Sequence, residues 1–553
     1  MATPSSEENN ESSSASRTAS GATTVDLVRA GRLPSLPSAF LKGEDRDLLN
    51  SIRFLGPDDT FEAPAPHLNR GEIARALASA NDAYGHPRAR ELGEKLAEPT
   101  TRVVIAGQQP GILGGPLYTL TKAIAAELWA ERLEAQGLPA VALFWVATED
   151  HDFAEVAHAT ILTGEGPRAL ELGDDDAPLT PVGMRTLGKG ITKVLEEARN
   201  LVPGERYSRW IDRIGSWYRP DARFGEAFSR LMVDLLREAC PLLVDSMLPA
   251  LKQAQRPWLE RFVDERESIE RALSEQEARI EDRGHSLQVA PQPGTSPLFM
   301  IRAGERRRIS WEGDRFSLRG SEEAGRSIDE LRAAISENPA AVSPGVLARP
   351  VLQDAVFGTA LTLLGPGEVS YYPQVAPLYE LLGVRAPSIS LRPQVLVLET
   401  HQLEKLRAAG VALEELLHPD FDLDRALGRE RGERIVAPLR SKIDALIEEL
   451  RQPALDVDPN LERPWEKTRD SIHRSVETFE KKLTASIARQ DEVRKHRLED
   501  LLSVSLPFGS LQERVIASAH FPGKYGEAFV ARLLEEMTLD SGLLQVVLPT
   551  LEE

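Results

Sequence analysis

Glu149, Asp150, His151 and Asp152 form an unbroken ionisable run just after the apolar stretch "ALFWVA" at 142–147. That stretch reads as a buried strand, and ligands of open α/β sheets bind outside the carboxyl ends of strands. Carboxylates there could hold a substrate ammonium group or a Mg²⁺ ion. His151 could act as a base or as a hydrogen-bond donor to phosphate. The competing reading is a solvated loop in which Asp150 or Asp152 caps a helix. So many polar groups at the end of a buried strand favour the functional reading. A metal site made from these residues alone has little support, since His158 is the sole other imidazole nearby.

A second cluster lies upstream, in "VVIAGQQPGILGGPLYTLTKA" at 103–123. Gly107, Gly111, Gly114 and Gly115 permit positive φ and close backbone approach. Pro116 suits the first position of a helix, where its missing N–H costs nothing. The loop thus brings a helix N-terminus beside the end of a strand, a place that favours phosphate or another anion. Lys122 reaches back toward it in part. The spacing is neither GxxxxGK[ST] nor GxGxxG, and a tight structural turn would use the same glycines.

The third cluster joins "LARPVLQDAV" at 347–356 to "LLGPGEVSYYPQ" at 363–374. Arg349, Gln353 and Asp354 stand at i, i+4 and i+5. Glu368 follows the glycine turn, with Tyr371 and Tyr372 behind it. Alone, these residues read as helix caps and an ordinary ion pair. Arg392, after "SISL", adds a polar group at another strand end. Cys240, the sole cysteine, reads as a buried structural thiol. One cysteine excludes an internal disulfide and a Cys-rich zinc site.

Elements that could position these clusters follow from the apolar pattern. In 102–162, "RVVIA" and "AVALFWVA" are buried strands joined by the helix "PLYTLTKAIAAELWAERLEAQG", a βαβ unit that implies a parallel sheet. The organisation expected is a disordered Ser/Thr-rich tail over 1–24 and a first core part over 25–165, mostly helical before residue 102. An insertion of helices and a small β-sheet follows over 166–340, with "CPLLVDS", "SLQVA", "PLFMIRAG" and "RRRISWEGDRFSLRG" as strands and 247–284 as one long charged helix. The α/β pattern returns over 341–399 and ends in the strand "APSISL". Residues 400–503 form a helical hairpin, with Ile435, Leu439, Ile443, Leu446 and Leu450 on one arm and Ile472, Val476, Phe479 and Leu483 on the other. The proline-rich "QPALDVDPNLERPW" is its tip. Residues 504–553 return onto the core.

The chain has 553 residues, 41% of them hydrophobic and 27% charged, enough for a sizeable core and more than one domain. Its formal net charge of −20 argues against nucleic-acid binding. No apolar stretch is long enough for a membrane span and no secretory leader is visible. With the lone cysteine, this makes a reducing cytoplasm the expected location.

The segments "AGQQPGILGGPLYTLTKA", "FWVATEDHDFAEVAH", "RPVLQDAVFGTAL", "GPGEVSYYPQVAPLYELLGV" and "SLQERV" are together similar to the bacillithiol biosynthesis cysteine-adding enzyme family, BshC. The resemblance runs in order from about residue 30 to the C-terminus. It implies an α/β fold with a Rossmann-like parallel-sheet core, similar to class I aminoacyl-tRNA synthetases and nucleotidyltransferases. It also implies connective insertions and an antiparallel coiled coil that mediates homodimerisation. The reaction implied is amide formation between L-cysteine and glucosaminyl-malate. Matched by motif, Gly107, Gln108, Gln109, Gly111, Gly114, Gly115, Pro116, Tyr118 and Lys122 would line the site. So would Glu149, Asp150, His151 and Asp152, and Arg349, Gln353, Asp354, Gly365, Glu368 and Tyr371, with Arg392 added from its strand-end position. Fold similarity implies ATP, with Mg²⁺ an admissible companion and no zinc. On this view the glycine loop stabilises phosphate charge, the acids at 149–152 hold an ammonium group, and His151 is the base. Two further readings stay open: another amino-acid ligase or nucleotidyltransferase on the same core, and a non-enzymatic coiled-coil scaffold.

Overall fold

A computed structural model describes residues 23–56, 59–321, 325–488 and 492–549. Residues 1–22, most of the expected disordered tail, lie outside the described residues; Thr24–Asp26 is a short strand. The chain divides into two compact units, one of residues 26–28, 33–397 and 507–553, the other built mainly from 398–506.

The larger unit is organised by a sheet of Arg53–Leu55 (β1), Arg102–Gln108 (β2), Ala140–Val146 (β3), Leu242–Asp245 (β4), Leu361–Leu364 (β5) and Ser388–Leu391 (β6). Their order is β1-β6-β5-β2-β3-β4, and every pairing is parallel. Helix Leu117–Ala135 (α1) joins β2 to β3, helix Arg349–Phe357 (α2) precedes β5, and helix Pro366–Leu381 (α3) joins β5 to β6. This is the Rossmann-like parallel sheet expected.

The sheet is covered on both faces, which is why β3 is an unbroken apolar run instead of an alternating one. Ala140, Ala142, Phe144 and Val146 enter one buried cluster with Val104 and Ala106 of β2. Val141, Leu143 and Trp145 enter another with Val103 and Ile105 of β2 and Leu242 and Val244 of β4. Successive side chains simply point to opposite faces. Helix α1 is buried along most of its length, so its sequence shows little amphipathic pattern.

Several expectations change here. The region before residue 102 supplies an edge strand, β1, and "ALTLL" supplies β5; neither stood out. Runs of three or four apolar residues are too short for periodicity to identify. "CPLLVDS", placed in the insertion, supplies β4 of the core sheet. "SLQVA" forms no strand. The charged stretch at 247–284 is two helices, Pro249–Asp264 and Arg266–Asp282, broken at Glu265. The small antiparallel sheet is present, with Thr295–Arg302, Glu305–Glu312 and Arg315–Leu318 as consecutive strands.

The second unit contains helices Leu423–Val457 (α4) and Glu462–Ala488 (α5). Ion pairs Arg440–Glu480, Asp444–His473 and Arg451–Glu462 run in opposite sequence directions, so the two helices form an antiparallel hairpin. Its tip is shorter than the prolines suggest. Pro453 lies inside α4, which continues to Val457, and Pro464 sits in the first turn of α5, where no N–H is needed. Val436 and Ile447 are buried in the hairpin, whereas Leu439, Leu446, Leu450 and Phe479 are exposed.

Candidate active site

Strand β2 leads to β3 on one side, while its other neighbour, β5, leads away to β6. The carboxyl ends of β2 and β5 therefore flank the point where the chain direction of the sheet reverses, the favoured ligand crevice of such folds. A cleft of about 470 Å³ opens there. It is lined from the end of β2 by Gly107 and Gln108, just past it by Gln109, from α1 by Tyr118 and Lys122, and beyond β3 by Glu149, Asp150 and Glu155. Arg349 of α2, Gly365, Glu368 and Tyr371 at the start of α3, and Arg392 after β6 complete much of the opposite wall.

Lys122 is the central cation. Its side chain points back along α1, as helical side chains do. It is 1% exposed, and its Nζ donates to the Gly107 carbonyl at 2.9 Å, to Gln108 Oε1 at 3.2 Å and to Glu368 Oε2. One ammonium thus ties together the end of β2, α1 and α3. Burial lowers its pKa, opposed by Glu368 and assisted by Arg392 and Arg349. Gln108 donates from Nε2 to the Tyr118 hydroxyl and to Glu155 Oε1, each at 3.1 Å. Gly107 has to be glycine, because a Cβ would lie 2.8 Å from Trp145 Cβ and 2.9 Å from its carbonyl oxygen.

The four residues after β3 separate. Glu149 is buried and paired with Lys252, itself 2% exposed. Asp150 accepts from Gln109 Nε2 at 2.9 Å, from the His151 backbone N–H at 2.7 Å and from Arg306 Nη1 at 3.3 Å. Desolvation would raise its pKa, but His151 and Arg306 outweigh that and lower it. His151 Nδ1 lies 2.8 Å from Arg306 Nη1, and the ring packs against Phe299 rather than lining the cleft. Asp152 takes the capping role: its Oδ1 accepts the Glu155 N–H at 3.1 Å at the start of the turn Phe153–Val156.

Gly111, Gly114 and Gly115 also lie away from the cleft lining. They shape a buried turn against residues 515–519. Gly115 has φ 64° and its carbonyl accepts the Ser518 N–H at 2.7 Å, while the first amide of α1, on Leu117, donates to the Ile516 carbonyl at 2.8 Å. That amide, expected to meet an anion, is satisfied by the C-terminal segment.

On the opposite wall, Arg349 donates from Nη2 to the Tyr371 hydroxyl at 3.1 Å and from Nη1 to Gln353 Oε1 at 2.9 Å. Gln353 Nε2 donates to Asp354 Oδ1 at 3.0 Å, and Tyr379 donates to Asp354 Oδ2 at 2.5 Å. Gln353 and Asp354 are buried behind Arg349 and orient it instead of meeting the cleft. Desolvation is the main force on the Asp354 carboxyl, pushing it up to about 6. Arg392 forms a fork-to-fork pair with Glu513, at 2.9 and 2.6 Å, with both side chains buried. Its guanidinium also stacks on the Tyr118 ring, 5.0 Å from the centroid.

Three charged cleft residues escaped sequence reasoning. Arg306 comes from the small antiparallel sheet and has contacts to Asp150, His151, Ser343 Oγ at 2.9 Å and the Pro344 carbonyl at 2.8 Å. Glu155 stands three residues past the acidic run, and Arg514 lies within the quoted "SLQERV" segment. Desolvation, then Asp152 and Asp150, push the Glu155 carboxyl up to about 7, although the residue is exposed. The Arg514 side chain makes no hydrogen bond or ion pair among the described residues, and Arg349 makes no salt bridge among them. Two guanidiniums in one cleft are therefore open to an anion. Among the described residues no group of three or more His, Cys, Asp or Glu side chains is placed to hold a metal ion, and no described helix is long and apolar enough to cross a membrane.

Comparison with known proteins agrees with this architecture. The family model described as the bacillithiol biosynthesis BshC N-terminal Rossmann-like domain matches residues 59–393, and that of the BshC C-terminal coiled-coil domain matches 395–547. A Heliobacterium modesticaldum protein is 31% identical over 536 residues, covering 93% of this chain and 96% of its own. A Salinibacter ruber protein is 30% identical over 87% of this chain and 89% of its own, and one from Solibacter usitatus 28% identical over 89% and 97%. Each of the three is named "Putative cysteine ligase BshC". With both domain models matched in order over nearly all of the described chain, this protein belongs to the bacillithiol biosynthesis BshC family.

Proposed function

We propose that this protein joins L-cysteine to glucosaminyl-malate through an amide bond, using ATP. Besides the family, the observation that carries this reading is a polar cleft at the sheet's switch point with two guanidiniums, Arg349 and Arg514, that form no salt bridge among the described residues. Those groups, with the N-terminus of α3 at Pro366–Gly367 in the same cleft, fit a polyphosphate. ATP, when bound, supplies the activation of the cysteine carboxylate. An accompanying Mg²⁺ would rest mainly on phosphate oxygens, because Glu149 and Asp150 are already engaged by Lys252 and by Gln109 and Arg306.

In the condensation the acceptor amine attacks the carboxyl carbon of cysteine. A C–N bond forms, the bond to the activated carboxyl oxygen breaks, and an amine proton must pass to a base. Glu155 suits that task better than His151. It faces the cleft, it is held by Gln108 Nε2, and its pKa lies near neutrality. His151 has Nδ1 turned to Arg306. Asp150, held ionised by His151 and Arg306 through Oδ1, lines the cleft with an Oδ2 that accepts from Gln109 alone among the described residues, which leaves a lone pair for the cysteine ammonium group.

The test is mass spectrometry of purified protein with cysteine, glucosaminyl-malate and ATP, with the amide product expected. Cysteine-dependent ATP–pyrophosphate exchange is expected as well; its absence beside working ligation would remove that route of activation and leave ligation standing. The base assignment predicts a pH profile. Glu155 must be ionised to accept a proton, so kcat should rise as pH rises through about 7 and level off above it. Glu155→Gln should lower kcat by roughly 10²-fold and flatten that limb; an unchanged limb would reject Glu155 as the base.

We also propose that the chain is a homodimer through its helical hairpin. Leu439, Leu446, Leu450 and Phe479 are 50%, 61%, 66% and 58% exposed, an apolar stripe that a second copy would cover. Sedimentation velocity should show a dimer, and Leu439→Glu with Phe479→Glu should shift it to monomer.

A further inference from the structure

A second cavity, of about 400 Å³, lies between helix Arg266–Asp282, the irregular segment 289–294 with the start of strand Thr295–Arg302, and strand Glu305–Glu312. It shares Val289, Gly345 and Val346 with the active-site cleft. The two spaces adjoin at Val346, a side chain that is 40% exposed.

Arg306 and Arg308 stand two apart on one strand, so they share a face. Both guanidiniums pack on the Phe299 ring, with Cζ 3.9 and 4.7 Å from its centroid. Their surroundings differ. Arg306 is fully engaged in the cleft by Asp150, His151, Ser343 and Pro344. Arg308 lines the second cavity, and among the described residues its side chain has no hydrogen bond and no ion pair. Burial, then Arg306 and Arg319, lower its pKa.

The acids of the cavity wall do not answer it. Glu270 Oε1 accepts the Gly294 N–H at 2.8 Å, Glu277 Oε1 accepts from Gln374 Nε2 at 3.2 Å, and Glu267 pairs with Arg266 at 3.4 Å. A half-buried cation with no counter-charge is costly and gains from an anion brought by a ligand. Trp311 and Leu273, both half-buried, give the cavity an apolar side against which a small molecule can pack.

We propose that this cavity is the acceptor compartment, in which Arg308 receives the carboxylates of a small dicarboxylate-bearing acceptor whose amine passes Val346 into the cleft. The assignment of the acceptor rests on the ligase reading above; the carboxylate site itself stands on Arg308 and its cavity. Cysteine and ATP then occupy the cleft without competing with the acceptor for Arg349 and Arg514.

The test is titration calorimetry of the full chain with glucosaminyl-malate and, separately, with malate. Wild type, Arg308→Gln and Arg308→Lys are compared, with thermal unfolding as a check on folding. Arg308→Gln is expected to weaken both ligands about tenfold, the loss of one charge-assisted contact, and Arg308→Lys to recover part of it. Val346→Trp, which narrows the passage, gives a reading independent of Arg308: acceptor affinity kept, turnover reduced about tenfold. Unchanged affinities in Arg308→Gln overturn the inference whether or not the protein ligates cysteine, and so does wild type binding neither ligand. Malate binding lost in Arg308→Gln, by a protein that makes no amide product, overturns the ligase reading and leaves the carboxylate site in place.

Discussion

Lys122→Met should lower kcat/KM for ligation by roughly 10²- to 10³-fold, through loss of geometry at the cleft floor. Methionine keeps most of the side-chain volume and removes the charge. Without the ammonium, the Gly107 carbonyl and Gln108 Oε1 lose a donor and Glu368 loses its counter-ion. These groups belong to the end of β2 and the start of α3, the two walls of the crevice. Gln108 in turn holds Glu155, so the proposed base shifts with it. Steady-state kinetics beside a thermal unfolding scan check the expectation. A folded Lys122→Met protein with activity within threefold of wild type would show that the cation only packs. Glu368→Gln, alone and combined with Lys122→Met, should show strong coupling, because the two side chains form one pair.

Arg392→Gln is expected to cost about 3–5 kcal/mol of stability, the usual penalty for stranding a buried charge. Its guanidinium and the Glu513 carboxylate are 2% and 0% exposed and meet through two bonds. Glu513 Oε2 also accepts the Val395 N–H at 2.9 Å, and its neighbour Gln512 exchanges bonds of 2.8 and 2.9 Å with the backbone of Val397. The pair therefore locks the 512–514 turn onto Gln394–Val397, and Arg514, one residue on, reaches the cleft. Urea unfolding of Arg392→Gln should show the loss, whereas Arg392→Met with Glu513→Leu should recover part of it, since neither charge is then left unpaired. Single and double variants of equal stability would contradict this account.

Arg392 shows where sequence reasoning placed a residue well and assigned its work less well. Its position at a strand end is as expected, and it does border the cleft. Its charge, however, is spent on Glu513, a partner 121 positions away that no local spacing reveals. The same holds for Glu149 and Lys252, which are 103 positions apart. Asp152 shows the reverse. Its capping bond to the Glu155 N–H is local, and the capping alternative read from the sequence describes it correctly. The glycines at 111, 114 and 115 signalled an unusual backbone, but the segment they pack against, 515–519, lies some four hundred residues away.

Composition and local pattern determined much of this protein unaided: a parallel α/β core from two apolar strands around a helix, polar clusters at strand ends, and a helical hairpin. The motifs, taken together, determined the family. Those features depend on side-chain periodicity and backbone freedom over a few consecutive residues, which is the range over which a linear sequence carries physical information. Tertiary structure alone decided that β4 and β5 join the sheet and that the switch point falls between β2 and β5. It alone brought Arg306, Glu155 and Arg514 into the cleft and left Arg349, Arg514 and Arg308 without salt bridges among the described residues. Whether a charge is neutralised or available depends on what folding places within a few ångströms of it, and charges distant in the chain fall off the linear record.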